Sequence, residues 1–282
     1  MAISLFLFWQ SPFTVFGQSL ELGLLLGGSN YHGDLASTEL KVIPKQTDFA
    51  YGGFLRYHLN ESFAIRLQIL QTELKADDAN SSFTTLIQRN LRFFSPLTDA
   101  SLRFEWYPFA ASSQYQQTFL PYFALGASFF KFNPQALYNG RFFELRPLRT
   151  EGQGLPSFPE RTIYQLYSGS VLSSIGFKIL VNDDITIGID FSAHYTFTDY
   201  LDDVSTTYAD YNELAQFVSV QAADIAFQVD DFFGVEQTSP LPGTNRGNPN
   251  VNDWFLIGGI TLSYKLINRD RGQRKGIGCP TF

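Results

Sequence analysis

The chain has 282 residues, a formal net charge of −7, 44 % hydrophobic and 16 % aromatic residues, and a single Cys. The acidic balance argues against a nucleic-acid partner, the lone Cys excludes an internal disulfide framework, and with no apolar run of about eighteen residues the chain is not a helical membrane protein. Alternating strands average their hydropathy away, in keeping with a mean hydropathy of −0.07, and the 29 Phe and 14 Tyr suit a barrel with an aromatic girdle at each membrane interface.

In chain order, residues 1–17 are an apolar stretch closing on Val15, Phe16 and Gly17. They read as a secretory signal peptide without its basic start, so the mature chain is expected to begin at Gln18. From Leu20 to Tyr31 the chain sets Leu20, Leu22, Leu24 and Leu26 against Glu21, Gly23, Leu25 and Gly27, the period of a first strand. A loop to about Thr47 follows, and then a second strand, Phe49 to Leu59, has Tyr51, Leu55 and Tyr57 outward and Gly52, Phe54 and Arg56 inward. After a short turn the third strand sets Phe63, Ile65, Leu67 and Ile69 opposite Arg66 and Gln68, and a long polar connection is expected from Ala76 to about Thr98. The fourth strand, Ala100 to Tyr107, alternates Leu102, Phe104 and Trp106 with Ser101, Arg103 and Glu105. The fifth runs from Leu120 to Phe132, and the Pro- and Gly-rich stretch from Asn133 to about Ser168 reads as irregular.

A hairpin within Gly176 to Phe197, turning at Asn182, Asp183 and Asp184, supplies strands six and seven. In its second arm Ile185, Ile187, Ile189 and Phe191 point one way, and Thr186, Gly188, Asp190, Ser192 and His194 the other. A long excursion from Thr198 to about Asn252 leads to the eighth strand, Asp253 to Leu266. Every second connection is long, as expected for extracellular loops and periplasmic turns. A soluble lipocalin-like barrel or sandwich, the competing architecture, has no reason for that rhythm. The expected fold is therefore an eight-stranded antiparallel transmembrane barrel of the bacterial outer membrane, over residues 18–266, embedded in outer-membrane lipid.

Such a barrel is only wide enough for side chains to fill it. The alternation points Glu21, Arg56, Arg66, Arg103, Glu105, Lys178, Asp190 and Lys265 into the lumen, where isolated charges are costly, so a salt-bridged plug is expected rather than a pore. His32 and His58 fall at strand ends and read as interface residues. Asp190, Ser192 and His194 share one face at a spacing of two, and such positions stand about 6.5–7 Å apart, too far for a nucleophile to bond its base directly. No catalytic, cofactor or metal site is expected. The Asp199, Asp202, Asp203 cluster admits a calcium reading, but a solvated acidic loop base or hydrogen-bonded turn is the expectation.

Two stretches carry more: Thr196 to Tyr208 (TFTDYLDDVSTTY) and Gly28 to Asp34 (GSNYHGD). With the eight-strand plan, they resemble the PorG-like family of outer-membrane proteins of Bacteroidetes-type bacteria, over essentially the whole mature chain. The resemblance implies a component of the type IX protein secretion machinery, which supports gliding in some species, with the barrel anchoring a periplasmic lipoprotein ring rather than serving as the conduit. The loop from Tyr211 to Asn252 is longer than a minimal member needs. The tail, residues 267–282, is basic and periplasmic by topology; Arg269, Arg271, Arg274, Lys275 and Cys279 are its candidate partner-binding residues, with Cys279 able to form an intermolecular disulfide. The alternative for the tail is contact with anionic head groups. The functional expectation is a non-enzymatic scaffold; the alternative is a structural or adhesion-type barrel binding ligands through its surface loops.

Overall fold

The computed structural model describes residues 19–37, 39–110, 119–228 and 240–268. The expected signal segment, Gln18, and tail residues Arg269, Arg271, Arg274, Lys275 and Cys279 lie outside the described residues. Eight long strands carry the period-two pattern: β1 (Ser19–His32), β2 (Thr47–His58), β3 (Phe63–Asp77), β4 (Arg92–Trp106), β5 (Phe119–Phe132), β8 (Tyr167–Leu180), β9 (Ile185–Thr196) and β10 (Trp254–Asn268). Each pairs antiparallel with both neighbours, and the ring shuts where β1 meets β10. The fold is thus the closed eight-stranded antiparallel barrel that the alternation implies.

Outward side chains form an apolar band in which Leu125 is 68 % and Ile260 61 % exposed. A contiguous surface of that kind is incompatible with water and is the lipid face of an outer-membrane barrel. Aromatic contacts gird it at two levels: Trp106 with Phe123 and Phe119 with Phe177 near the short turns, Phe129 with Tyr167 and Tyr195 with Trp254 near the long loops.

The strand boundaries need three corrections. β4 begins at Arg92, not Ala100. Its first turns were hidden because Phe93 and Leu97 point inward, under loops that cover them, so the apolar-out pattern reverses above the membrane. The stretch after Asn133 is not irregular throughout: β6 (Gln135–Tyr138) and β7 (Arg141–Glu144) form a hairpin whose edge joins β4 at Phe94 and Gln135. Its turn is Asn139-Gly140, both at positive φ (49° and 75°), the turn that this dipeptide favours. β10 runs past Leu266 to Asn268.

The long connections hold the helices α1 (Ile43–Gln46), α2 (Thr84–Arg89), α3 (Tyr211–Phe217) and α4 (Val220–Phe227). Asp210 caps α3 and Ser219 caps α4, each side chain accepting an amide of the first turn. Leu155, Tyr208, Leu214, Ala223 and Phe227 bury one another above the rim. The loops therefore build an extracellular cap with its own apolar core.

Candidate functional site: a charge-filled lumen under a polar rim

The lumen is filled near the short-turn end by side chains from all eight barrel strands, β10 contributing the Ser263 hydroxyl, which donates to Glu21 Oε2 at 3.2 Å. Glu21, Arg56, Arg66, Arg103, Glu105, Lys178 and Asp190 are each at most 3 % exposed. Arg56 donates from Nε to Glu105 Oε2 at 2.7 Å and from Nη1 to Glu21 Oε2 at 2.8 Å. Arg66 and Arg103 stand directly opposite on β3 and β4, a destabilising like-charge pair by itself. Asp190 reaches across from β9 and accepts from Arg66 at its Oδ2 and from Arg103 at its Oδ1, both at 3.0 Å. Tyr122, lying over Gly176, donates to the same Oδ2, and Tyr107 donates to Glu105. The Arg66 guanidinium also stacks 3.9 Å over Phe54.

At the mouth, Lys178 Nζ lies 3.6 Å from Glu21 Oε1 and 4.6 Å over the Tyr107 ring. His58 belongs to this group: its Nε2 is 3.0 Å from Glu21 Oε1. The inward parity of β2, which runs Phe54, Arg56, His58, was the signal for it. His32 stacks on Trp254 at 4.1 Å. Lys265 is half-buried opposite Glu21 at the short-turn end. The arrangement can neutralise charge and brace eight strands, because its bonds join strands that are not neighbours.

Above the plug, the expected separation of Ser192 from His194 is overturned: Ser192 Oγ and His194 Nε2 are 3.2 Å apart. Same-face Cα atoms keep their spacing, but the two side chains lean along the strand toward each other. The carboxylate near Nδ1 is Asp99 of β4, at 3.7 Å, rather than Asp190. This is the contact order of a Ser-His-Asp relay, but the carboxylate stands beyond hydrogen-bond reach. All three residues are at most 2 % exposed, and His194 is stacked on Phe255 at 4.5 Å. Leu25, Leu70, Leu97, Phe130, Phe255 and Ile257 close the lumen over them as one apolar cluster.

The rim is where the structure departs most from a solvated acidic loop. Asp202 and Asp203 are at most 1 % exposed. Asp203 Oδ1 accepts from the Tyr164 hydroxyl at 2.7 Å, and Oδ2 from Thr150. Burial pushes the Asp203 carboxyl up to about 6, partly offset by Arg246 and by these two hydroxyls. Glu151 accepts the Ser205 and Thr206 amides at 2.9 and 3.0 Å, the Thr206 hydroxyl at 2.7 Å, and Arg246 Nη1 at 3.3 Å. Arg89 grips Asp78 with two bonds of 2.7 and 2.8 Å and donates to the backbone carbonyls of Asp34 and Arg246. Four segments are stitched together by these charges. Among the described residues, no group of three His, Cys, Asp or Glu is arranged to hold a metal.

Glu151→Ala should therefore strip four acceptor contacts and leave Arg246 buried beside Asp203 alone. The expected result is an extracellular cap destabilised by about 3–5 kcal/mol, the usual cost of breaking a buried pair, read as a rise in protease cleavage between residues 197 and 253 while the barrel stays folded. Cleavage at the wild-type rate would refute the role assigned to Glu151.

Compared with known proteins, residues 1–145 match a family described as a domain of unknown function, DUF6089. No curated protein matches the sequence. Among solved structures the chain is similar to Neisserial surface protein A, at 9 % identity over 88 % of this chain and 97 % of that one, with a TM-score of 0.43. It is similar also to Ail of Yersinia pestis, at 9 % identity over 89 % and 99 % with a TM-score of 0.40. The outer membrane protein OprG of Pseudomonas aeruginosa is alike at 10 % identity over 88 % and 97 %, with a TM-score of 0.40.

Proposed function

The chain belongs to the DUF6089 family, and from that premise we propose that it is a non-enzymatic outer-membrane scaffold of the type IX secretion and gliding machinery, of the PorG-like kind, anchoring a periplasmic lipoprotein ring. The filled lumen carries the anchoring part of this reading. Arg56, Arg66, Arg103, Glu105 and Asp190 occupy the bore with at most 1 % exposure, and the apolar cluster stands above them, so no path for an unfolded chain runs through the barrel. A protein of this build acts by what it holds. The assignment to secretion rests on the likeness of residues 28–34 and 196–208 to the PorG-like pattern.

β1 begins and β10 ends on the short-turn side, the side taken as periplasmic in this proposal, which gives partner binding to the basic residues that follow in the sequence, Arg269, Arg271, Arg274 and Lys275, with Cys279. Gentle detergent extraction followed by affinity capture tests the proposal. The full chain is expected to bring a periplasmic lipoprotein with it, and a chain lacking residues 269–282 to lose that partner while keeping the heat-modifiable gel migration of a folded barrel. Recovery of the barrel alone from the full chain would defeat the reading, and retention of the partner by the shortened chain would remove the tail from it.

A further inference from the structure

Where the cap meets the barrel, one hydroxyl serves two carboxylates. The Tyr31 hydroxyl oxygen lies 2.6 Å from Asp202 Oδ2 and 2.8 Å from Asp253 Oδ1. All three residues are 1 % exposed. A phenol has a single proton to donate, so it can satisfy one of these oxygens, and the other contact needs a proton on the carboxyl itself. The remaining oxygens are already committed: Asp202 Oδ1 accepts the Val204 amide and Asp253 Oδ2 the Leu201 amide, each at 2.9 Å. As built, the site holds at least one proton more than two ionised carboxylates and a phenol would.

The surroundings reinforce that count. Asp199, a third acidic group beside them, is 7 % exposed. Asp34 accepts the Asn248 amide at 2.8 Å, and Glu151 is spent on the 205–206 amides. The nearby cations are engaged elsewhere, Arg89 by Asp78 and Arg246 by Glu151 and Asp203. Among the described residues no Lys, Arg or His forms an ion pair with Asp202 or Asp253. Gly33 roofs the cluster: a Cβ there would stand 1.8 Å from Asp253 Oδ1 and 2.0 Å from the Tyr31 hydroxyl, so only a glycine lets the backbone seal the site from water.

We propose that Asp202, Tyr31 and Asp253 form a proton-holding latch that fastens the extracellular cap to the barrel rim and releases it as the external pH rises. Asp253 precedes β10, Tyr31 is the penultimate residue of β1 and Asp202 belongs to the cap, so the shared proton joins the two strands that close the barrel to the loop above them. Burial is the main cause that holds both carboxyls well above the usual carboxylate range, with Asp199 adding repulsion to each. Burial also pushes Asp199 up to about 7, with Asp34 and Glu151 adding to the rise and Ser205 offsetting part of it.

The sign follows from proton counting. In an opened cap these carboxyls ionise near pH 4, whereas in the closed cap they keep their protons to higher pH. Between those limits the closed state binds more protons, so closure is favoured most below about pH 4 and loses stability steadily as pH rises toward the raised closed-state range of Asp202 and Asp253.

Hydrogen exchange of the Leu201 and Val204 amides, in the full chain in detergent micelles with EDTA, tests the latch. After correction for intrinsic exchange, protection is expected to fall about tenfold or more between pH 5 and pH 9, while amides within β9 and β10 hold theirs. Asp202→Asn and, separately, Asp253→Asn keep the shape and remove one titrating carboxyl each, and each should make the fall in protection between pH 5 and pH 9 severalfold smaller than in the wild type. A flat wild-type profile overturns the proposal whatever the variants do. So does a profile as steep in both variants as in the wild type, or restoration of protection at pH 9 by calcium, which would make this a cation site.

Discussion

Asp190→Asn is expected to cost the barrel about 3–5 kcal/mol, the range for removing one partner from a buried ion pair. The carboxylate is 0 % exposed and stands between Arg66 and Arg103, which face each other across β3 and β4. Neutralising it preserves the volume and leaves two guanidinium groups facing each other in a low-dielectric bore. Burying hydrophobic area cannot offset this, because nothing apolar is gained. Unfolding in urea of the protein refolded into lipid vesicles, read by tryptophan fluorescence and by heat-modifiable migration, measures it. The pairing also predicts a rescue: adding Arg103→Met to Asp190→Asn should recover about 1–3 kcal/mol, as coupled neighbours do. A loss below about 1 kcal/mol for Asp190→Asn, or no recovery in the double variant, would mean that the plug is not held by this carboxylate.

Ile260→Arg is expected to cost about 2–4 kcal/mol and to slow insertion into vesicles, the penalty for a cation at the bilayer midplane. Ile260 lies between Trp254 and Tyr264 on the outward face of β10, is paired with Leu26 and Ile189, and is 61 % exposed. On a protein surface in water the same exchange at so open a position would fall within about 0.5 kcal/mol of zero. The two environments thus predict different magnitudes for one substitution. Arg at residue 260 with unchanged stability in vesicles would exclude a membrane-spanning β10.

The stretches that resemble the PorG-like pattern have a structural account of their own. Residues 28–34 supply Tyr31, Gly33 and Asp34, and residues 196–208 supply Asp199, Asp202 and Asp203, and the two meet at the rim. Their residue types follow from what the junction needs: carboxylates able to accept amides from an irregular backbone, a phenol between two of them, and a glycine where the chain passes over. That origin explains why so specific a sequence can mark an architecture.

The sequence by itself determined which face the residues take in the membrane-spanning parts of the eight strands, because side-chain direction in a strand depends only on a local period of two. Leu20 to Leu26, Arg66 to Ile69 and Ile185 to His194 were legible in that way, and with them the closed barrel and the inward set of charges. Tertiary structure alone decided the partners. Asp190 meets Arg66, 124 residues away, and Arg103, 87 away, and Asp99 rather than Asp190 stands by His194. Those choices depend on the stagger between strands and on distances across the bore, which no local pattern encodes. Above the membrane the pattern itself loses meaning: Phe93 and Leu97 turn inward and Asp202 and Asp203 are buried, because there the polar solvent is outside and the folded cap supplies the interior.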